Sequence, residues 1–172
     1  MRRRSRQELG TVAVDPEQPE HLLLGAGSSL FQSHDGGATW SATSLVAGRV
    51  SALAVDPADA DTVYACGGLF GDFLVRTVDG GATWTLTAAG GGAVTTAPQL
   101  PGFVAAGGNG VPHPVAVSQD RGATWTCLDA GLPPRAFVHS LAVDPTSTAA
   151  QVTLYAATET GVFEITFAPQ AP

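Results

Sequence analysis

An all-β fold assembled from a repeated unit is predicted for this 172-residue chain by three observations. A turn motif built on aspartate, glycine and tryptophan occurs three times at nearly constant spacing. A second motif built on Val-Asp-Pro recurs in phase with it. No stretch carries a sustained helical period, so helix content is expected to be near nil.

The first motif is Ser33-His34-Asp35-Gly36-Gly37-Ala38-Thr39-Trp40, repeated as Thr77-Val78-Asp79-Gly80-Gly81-Ala82-Thr83-Trp84 and as Ser118-Gln119-Asp120-Arg121-Gly122-Ala123-Thr124-Trp125. Its aspartates stand 44 and then 41 residues apart, and it holds all three tryptophans of the protein. The second motif is Val14-Asp15-Pro16, echoed by Val55-Asp56-Pro57 and Val143-Asp144-Pro145, with room for a degenerate copy near Val94–Pro98. A strand-like run follows each copy: His21–Gly25, Thr62–Ala65, Phe103–Ala106 and Val152–Ala157. Four units of about 42 residues result, the period of propeller blades. They cover about 11–46, 50–88, 91–130 and 138–167, with a basic arm at 1–10 and a tail at 168–172.

Within a unit the elements follow from turn chemistry. In the second, strand A is Val50–Val55, alternating Leu53 and Val55 onto one face. Asp56-Pro57 ends it, because proline lacks a ladder N–H and aspartate caps the turn. Strand B is Thr62–Cys66, strand C Phe73–Val78 and strand D Thr83–Thr87. The aspartate motif is then the C–D hairpin. Its carboxylate accepts backbone N–H groups of its own turn, and the paired glycines supply positive φ; Arg121 takes the first glycine's place in the third copy. Each tryptophan is expected to pack between neighbouring blades. The fourth unit has strands A (His139–Val143), B (Val152–Ala157) and C (Gly161–Phe167) but no strand D. A small closed ring, a half-ring completed by self-association with a second copy, and an arc of a longer propeller are all compatible with this.

Composition narrows the partners. The net charge is −7, with +4 concentrated in Arg2, Arg3, Arg4 and Arg6 and no lysine anywhere. An acidic body repels polyphosphate, so no nucleic-acid partner is expected; the arm reads as a solvated tail. Apolar runs such as Leu22–Leu24 are too short to span a membrane. The basic start is not followed by an apolar stretch, so the chain as written is expected to be cytoplasmic. Cys66 and Cys127 form neither a metal-type spacing nor a disulfide framework. No cofactor or metal is expected.

The [S/T]-x-D-x-G-x-T-W pattern resembles the Asp box, or BNR repeat, of sialidases, and the longer unit is similar to repeats of sortilin-like propellers, xyloglucanase-like glycosidases and photosystem II assembly factors. The resemblance covers roughly Thr11 to Phe167. It implies a structural role for Ser33, Asp35, Gly37, Thr39 and Trp40, for Thr77, Asp79, Gly81, Thr83 and Trp84, and for Ser118, Asp120, Gly122, Thr124 and Trp125. As to function, it implies either a non-catalytic module that docks a protein or glycan, or part of a glycoside hydrolase. A sialidase-like site needs an arginine cluster and a tyrosine nucleophile. The RIP-type motif is absent, and Tyr64 and Tyr155 recur at matching strand B positions, which marks core.

Topology says where a site would lie. A–B and C–D connections open on one face, and the recurring aspartates are used there as turn formers. The B–C and D–A connections open on the other, which collects the non-repeating polar residues. Asp72 and Glu159 are the acid/base candidates, since a glycosidase needs two carboxylates about 5–9.5 Å apart. Arg49, Asn109, His113, Asp129 and Arg135 are the candidate ligand contacts. His113 has no second histidine at ligand spacing.

Overall fold

The computed structural model describes residues 9–46, 48–68, 73–108, 113–128 and 131–168, and these form strands, turns and no helix. Three four-stranded antiparallel sheets and one of three strands follow one another along the chain. Blade 1 holds β1 (Leu9–Val14), β2 (Leu22–Ala26), β3 (Ser29–Ser33) and β4 (Ser41–Val46). Blade 2 holds β5 (Val50–Asp56), β6 (Asp59–Gly67), β7 (Phe73–Thr77) and β8 (Thr85–Leu86). Blade 3 holds β9 (Ala93–Thr96), β10 (Val104–Gly107), β11 (Val115–Ser118) and β12 (Thr126–Cys127). Blade 4 holds β13 (Val138–Val143), β14 (Val152–Thr158) and β15 (Gly161–Phe167), and no fourth strand is found there among the described residues. β1 begins two residues before Thr11.

Every strand pairs with its sequence neighbour, so each blade is a plain meander. Side chains alternate across it, and both faces of a middle blade are used. In blade 2, Leu53, Ala65 and Val75 share one row and face Leu23 and Leu30 of blade 1. Ala54, Tyr64 and Arg76 share the next row on the opposite face, where Tyr64 joins Val104, Ala106 and Ala116 of blade 3 in a second core. A third core joins blades 3 and 4 through Ala105, Val117, Leu141, Leu154 and Ile165. Burying both faces of a thin sheet is what makes blades apolar on alternating and non-alternating positions alike.

The innermost strands pack in series, β1 on β5, β5 on β9 and β9 on β13; β13 and β1 make no comparable contact among the described residues. The four blades therefore form an open arc. Glycine sets how closely they approach. A Cβ on Gly107 at the end of β10 would lie 2.4 Å from Cγ1 of Val138, the first residue of β13. One on Gly25 in β2 would lie 3.0 Å from Val50 Cγ1 at the start of β5.

Two expectations need correction. Trp84 packs into the joint with blade 1 and Trp125 into the joint with blade 2, each facing the blade before its own. Trp40 faces the same way, meets no other blade among the described residues, and is 39% exposed. Tyr64 is fully buried, but Tyr155 is only half-buried, because it stands on the uncovered face of blade 4. No helix of the described chain is long and apolar enough to cross a membrane.

Candidate functional site

The aspartate hairpins form as the motif dictates. In each, the hydroxyl residue two before the aspartate anchors the turn: Ser33 Oγ donates to Asp35 Oδ1 at 2.8 Å and accepts from Gly37 N at 2.9 Å. Asp35 also accepts from Thr39 N (2.8 Å) and Thr39 Oγ1 (2.6 Å), and Trp40 Nε1 donates to the Gly37 carbonyl. Thr77, Asp79, Gly81, Thr83 and Trp84 repeat the network. So do Ser118, Asp120, Gly122, Thr124 and Trp125. The donors stabilise the ionised form. Thr39 and Ser33 draw the Asp35 carboxyl to about 2, and Thr83 and Thr77 do the same for Asp79. At Asp120 slight burial works upward, but Thr124 and Ser118 outweigh it and the group again sits at about 2.

These carboxylates are engaged by their own turns, and those of the A–B connections also accept turn amides. Asp15 accepts from Glu17 N and Gln18 N, Asp56 from Ala58 N, and Asp144 from Thr146 N and Thr146 Oγ1. Hairpin and A–B turn of one blade meet directly, for Gly36 N, Gly80 N and Arg121 N donate to the carbonyls of Glu20, Asp61 and Gly102. All six aspartates thus belong to one end of the arc and to its construction.

Arg121 shows why one copy departs from glycine. It holds the left-handed φ of 56° that glycine would otherwise supply, and its Nε reaches Asp56 of blade 2 at 3.1 Å. Arg76 Nη1 in turn donates to the Arg121 carbonyl. Beneath them burial, with the Asp56 charge beside it, pushes the Tyr64 phenol well above its ordinary range. This group is a clasp across a joint.

The opposite end carries a polar opening between blades. A polar cavity of about 300 Å³ lies where blades 2, 3 and 4 converge, lined by Ser51, Ala52, Gly67, Gly68, Gly92, Val138 and His139. Its residues come from the first positions of β5 and β13, the end of β6 and the approach to β9. Ser51 Oγ bridges two blades by donating to the carbonyls of Cys66 and Gly92. Gly68 N donates to the Arg49 carbonyl, and a Cβ on Gly67 would fall 1.9 Å from that oxygen, so only glycine fits. His139 is exposed at the rim. A smaller, apolar cavity of about 130 Å³ between blades 3 and 4 is lined by Leu100, Pro101, Phe103 and Val152 with Gln99, Gln119 and Ala149.

Among the residues expected at this end, Arg49 adjoins the polar cavity through its backbone and is exposed. Glu159 is exposed in the β14–β15 turn, where Oε2 accepts the Phe137 N–H at 2.7 Å, next to the cavity residues Val138 and His139. It braces the entry to blade 4. Arg135 lies exposed in that entry with φ 63°, and His113 is exposed ahead of β11. Asp72, Asn109 and Asp129 lie outside the described residues. Ser51, Gly92 and His139 were not anticipated; the signal for them was positional, since D–A connections deliver the first residue of each innermost strand to this rim. Among the described residues no group of three or more His, Cys, Asp or Glu could hold a metal ion.

An all-β chain of consecutive four-stranded meanders packed through their innermost strands defines a β-propeller, here an arc of four blades. Known structures agree. YCF48 bound to D1 peptide is similar with a TM-score of 0.64 and 17% identity, over 96% of this chain and 51% of that one. YCF48 from Cyanidioschyzon merolae gives 0.63 and 17%, over 98% and 56%. The GH74 enzyme of Niastella koreensis gives 0.61 and 19%, over 94% and 30%. These are β-propeller proteins, and at such identities the likeness is one of fold. The chain spans about half the length of the YCF48 structures and under a third of the GH74 one. No family model and no curated sequence matches it.

Proposed function

We propose that this chain is a propeller of the Asp-box type that docks a segment of a partner protein at the loop end of the arc. The observation that carries the reading is the polar cavity of about 300 Å³ shared by three blades. Gly67, Gly68, Gly92, Ser51 and His139 line it, and since the Gly68 and Gly92 amides and the Ser51 proton are already bonded within the fold, the remaining lone pairs and the His139 imidazole are what it offers to an extended backbone. A solved neighbour of the same fold, YCF48, is bound to a peptide, which supports the class of ligand.

A carbohydrate ligand is the second reading, with the chain as part of a glycoside hydrolase; the GH74 neighbours favour it. It would need a carboxylate pair, and the described carboxylate at this end, Glu159, is committed to the Phe137 amide. Peptides selected from a displayed random library and titrated calorimetrically test the two. Ser51→Trp, which fills the cavity, should weaken the selected peptides at least about tenfold, or about 1.4 kcal/mol, while Gln99→Ala at the other end leaves them unchanged. Binders indifferent to Ser51→Trp would contradict the proposal. Hydrolysis of xyloglucan oligosaccharides that disappears in Glu159→Gln would establish the glycosidase reading instead.

A further inference from the structure

The two outer faces of the arc resemble the two sides of an internal joint. On blade 1, Val12, Leu24 and Phe31 share a row, as Leu53, Ala65 and Val75 do on blade 2. The blade 2 row is packed against blade 1, with Trp84 beside it. The blade 1 row is uncovered: Val12 is 61% exposed, Leu24 and Phe31 are half-buried, and on the same face Val14 is 52% exposed, while Trp40 is 39% exposed. Single exposed apolar residues are ordinary, but a contiguous row that is core in the neighbouring repeat marks a contact surface.

Blade 4 offers the complement. The row that receives Trp125 of blade 3 is Ala54–Tyr64–Arg76 of blade 2: a Cβ on Gly122 would lie 3.3 Å from both the Trp125 ring and Tyr64 Cε1. In blade 4 the same register positions hold Ala142, Tyr155 and Glu164. Alanine and tyrosine are thus shared by blades 2 and 4, whereas the equivalent rows hold Ala13, Leu23 and Gln32 in blade 1 and Thr95, Ala105 and Val117 in blade 3. The row uses only strands A to C, so the missing strand D removes nothing from it.

We propose that the chain associates head to tail with a second copy, the Tyr155 face of blade 4 in each copy seating Trp40 of blade 1 in the other, to close one ring of eight blades. Three observations select a second copy as the occupant. The chain carries both halves of the joint, each half is sequence-matched to an internal joint, and the arc spans 51–56% of the YCF48 propellers, leaving room for about one more arc. The area suffices. Strands of about 17 Å set about 4.8 Å apart give roughly 300 Å² per face, hence about 1,200 Å² over two joints, the lower bound of a stable interface. Such a ring also places two copies of the polar cavity around one axis.

Light scattering on the whole chain, with variants, tests this. Wild-type protein should have the mass of two chains. Val12→Arg and Tyr155→Arg should each have the mass of one, with circular dichroism melts showing that they stay folded. Should Tyr155→Arg melt poorly, Val162→Arg, on the same face and 73% exposed, replaces it. An equimolar mixture of Val12→Arg and Tyr155→Arg should associate at concentrations where neither variant does alone, more weakly than wild type, because one of the two joints then pairs two intact faces. A wild-type chain that is monomeric overturns the proposal and assigns the faces to blades of a longer polypeptide. Loss of the dimer in Val12→Arg alone, or no association on mixing, overturns it in favour of pairing between like faces.

Discussion

Replacing Trp125 by alanine should loosen the joint between blades 2 and 3, and replacing Trp40 should do much less in dilute, single-chain solution. The indole of Trp125 is mostly covered by its own hairpin and by the Tyr64 face of blade 2. An indole buries about 150–250 Å² when enclosed; taking something over 100 Å² here at about 25 cal/mol/Å² gives about 3 kcal/mol. That figure is an upper one, because an unfolded chain already shields part of its apolar surface. The Nε1 bond to the Gly122 carbonyl is lost as well, but that oxygen can be rehydrated. A cost of about 2–3 kcal/mol lowers the melting temperature of a chain this size by about 4–12 °C. Trp40 meets only its own blade and is 39% exposed, so Trp40→Ala should cost less than Trp125→Ala, because no contact with a second blade is lost. Because repeats are coupled mainly to their neighbours, Trp125→Ala should also broaden the transition. Urea and thermal melts followed by circular dichroism measure both. Equal midpoints for the two variants would refute the claim that each tryptophan serves the joint with the blade before it.

Two further outcomes are expected. Gly107→Ala places a methyl 2.4 Å from Val138 Cγ1 and should destabilise by about 1–3 kcal/mol, with Val138→Ala in the same chain restoring part of the loss; independent, additive effects in a double-mutant cycle would contradict the contact. Asp79 sits at about 2 when folded against about 3.9 unfolded. The depressed value means that its contribution is complete above pH about 4 and is lost as pH falls through about 2. The gap in melting temperature between wild type and Asp79→Asn should therefore narrow across that window, and a gap that stays constant would show that the Thr83 and Thr77 bonds do not favour the charged form.

Local chemistry was readable from the chain because it is local. Asp35 and Thr39 are four residues apart and their bonds need only a tight turn, so the hairpin follows from the motif, whereas the strand ends shift: strand B of blade 2 runs Asp59–Gly67 and strand D shortens to Thr85–Leu86. Distance in sequence marks where that legibility stops. Arg121 could be seen to replace a glycine, but its partner Asp56 is 65 residues away and in another blade. Trp40 and Tyr155 were expected to be as buried as their counterparts Trp84 and Tyr64, because a repeat motif describes the blade and not its neighbour; the end blades have one neighbour each. Strand order alone assigns the B–C and D–A connections to one end of the arc. It does not say which residues line the cavity there, since Ser51, Gly92 and His139 lie in no motif and are brought together by the convergence of three blades. Glu159 was placed at the correct end, but its carboxylate is taken by an amide that no spacing rule connects to it.

The open arc itself can be measured directly. Spin labels at Gln18 and Ala58 report the distance between neighbouring A–B turns of blades 1 and 2, and labels at Gln18 and Ala150 report blades 1 and 4. Both pairs are exposed, Cys127→Ser removes the exposed thiol, and dilution into unlabelled chain isolates the distance within one molecule. An open arc requires the Gln18–Ala150 distance to be clearly the longer of the two; equal distances would mean that blades 4 and 1 are adjacent within a single chain, closing a four-bladed ring and contradicting the architecture on which the joint and the shared cavity depend.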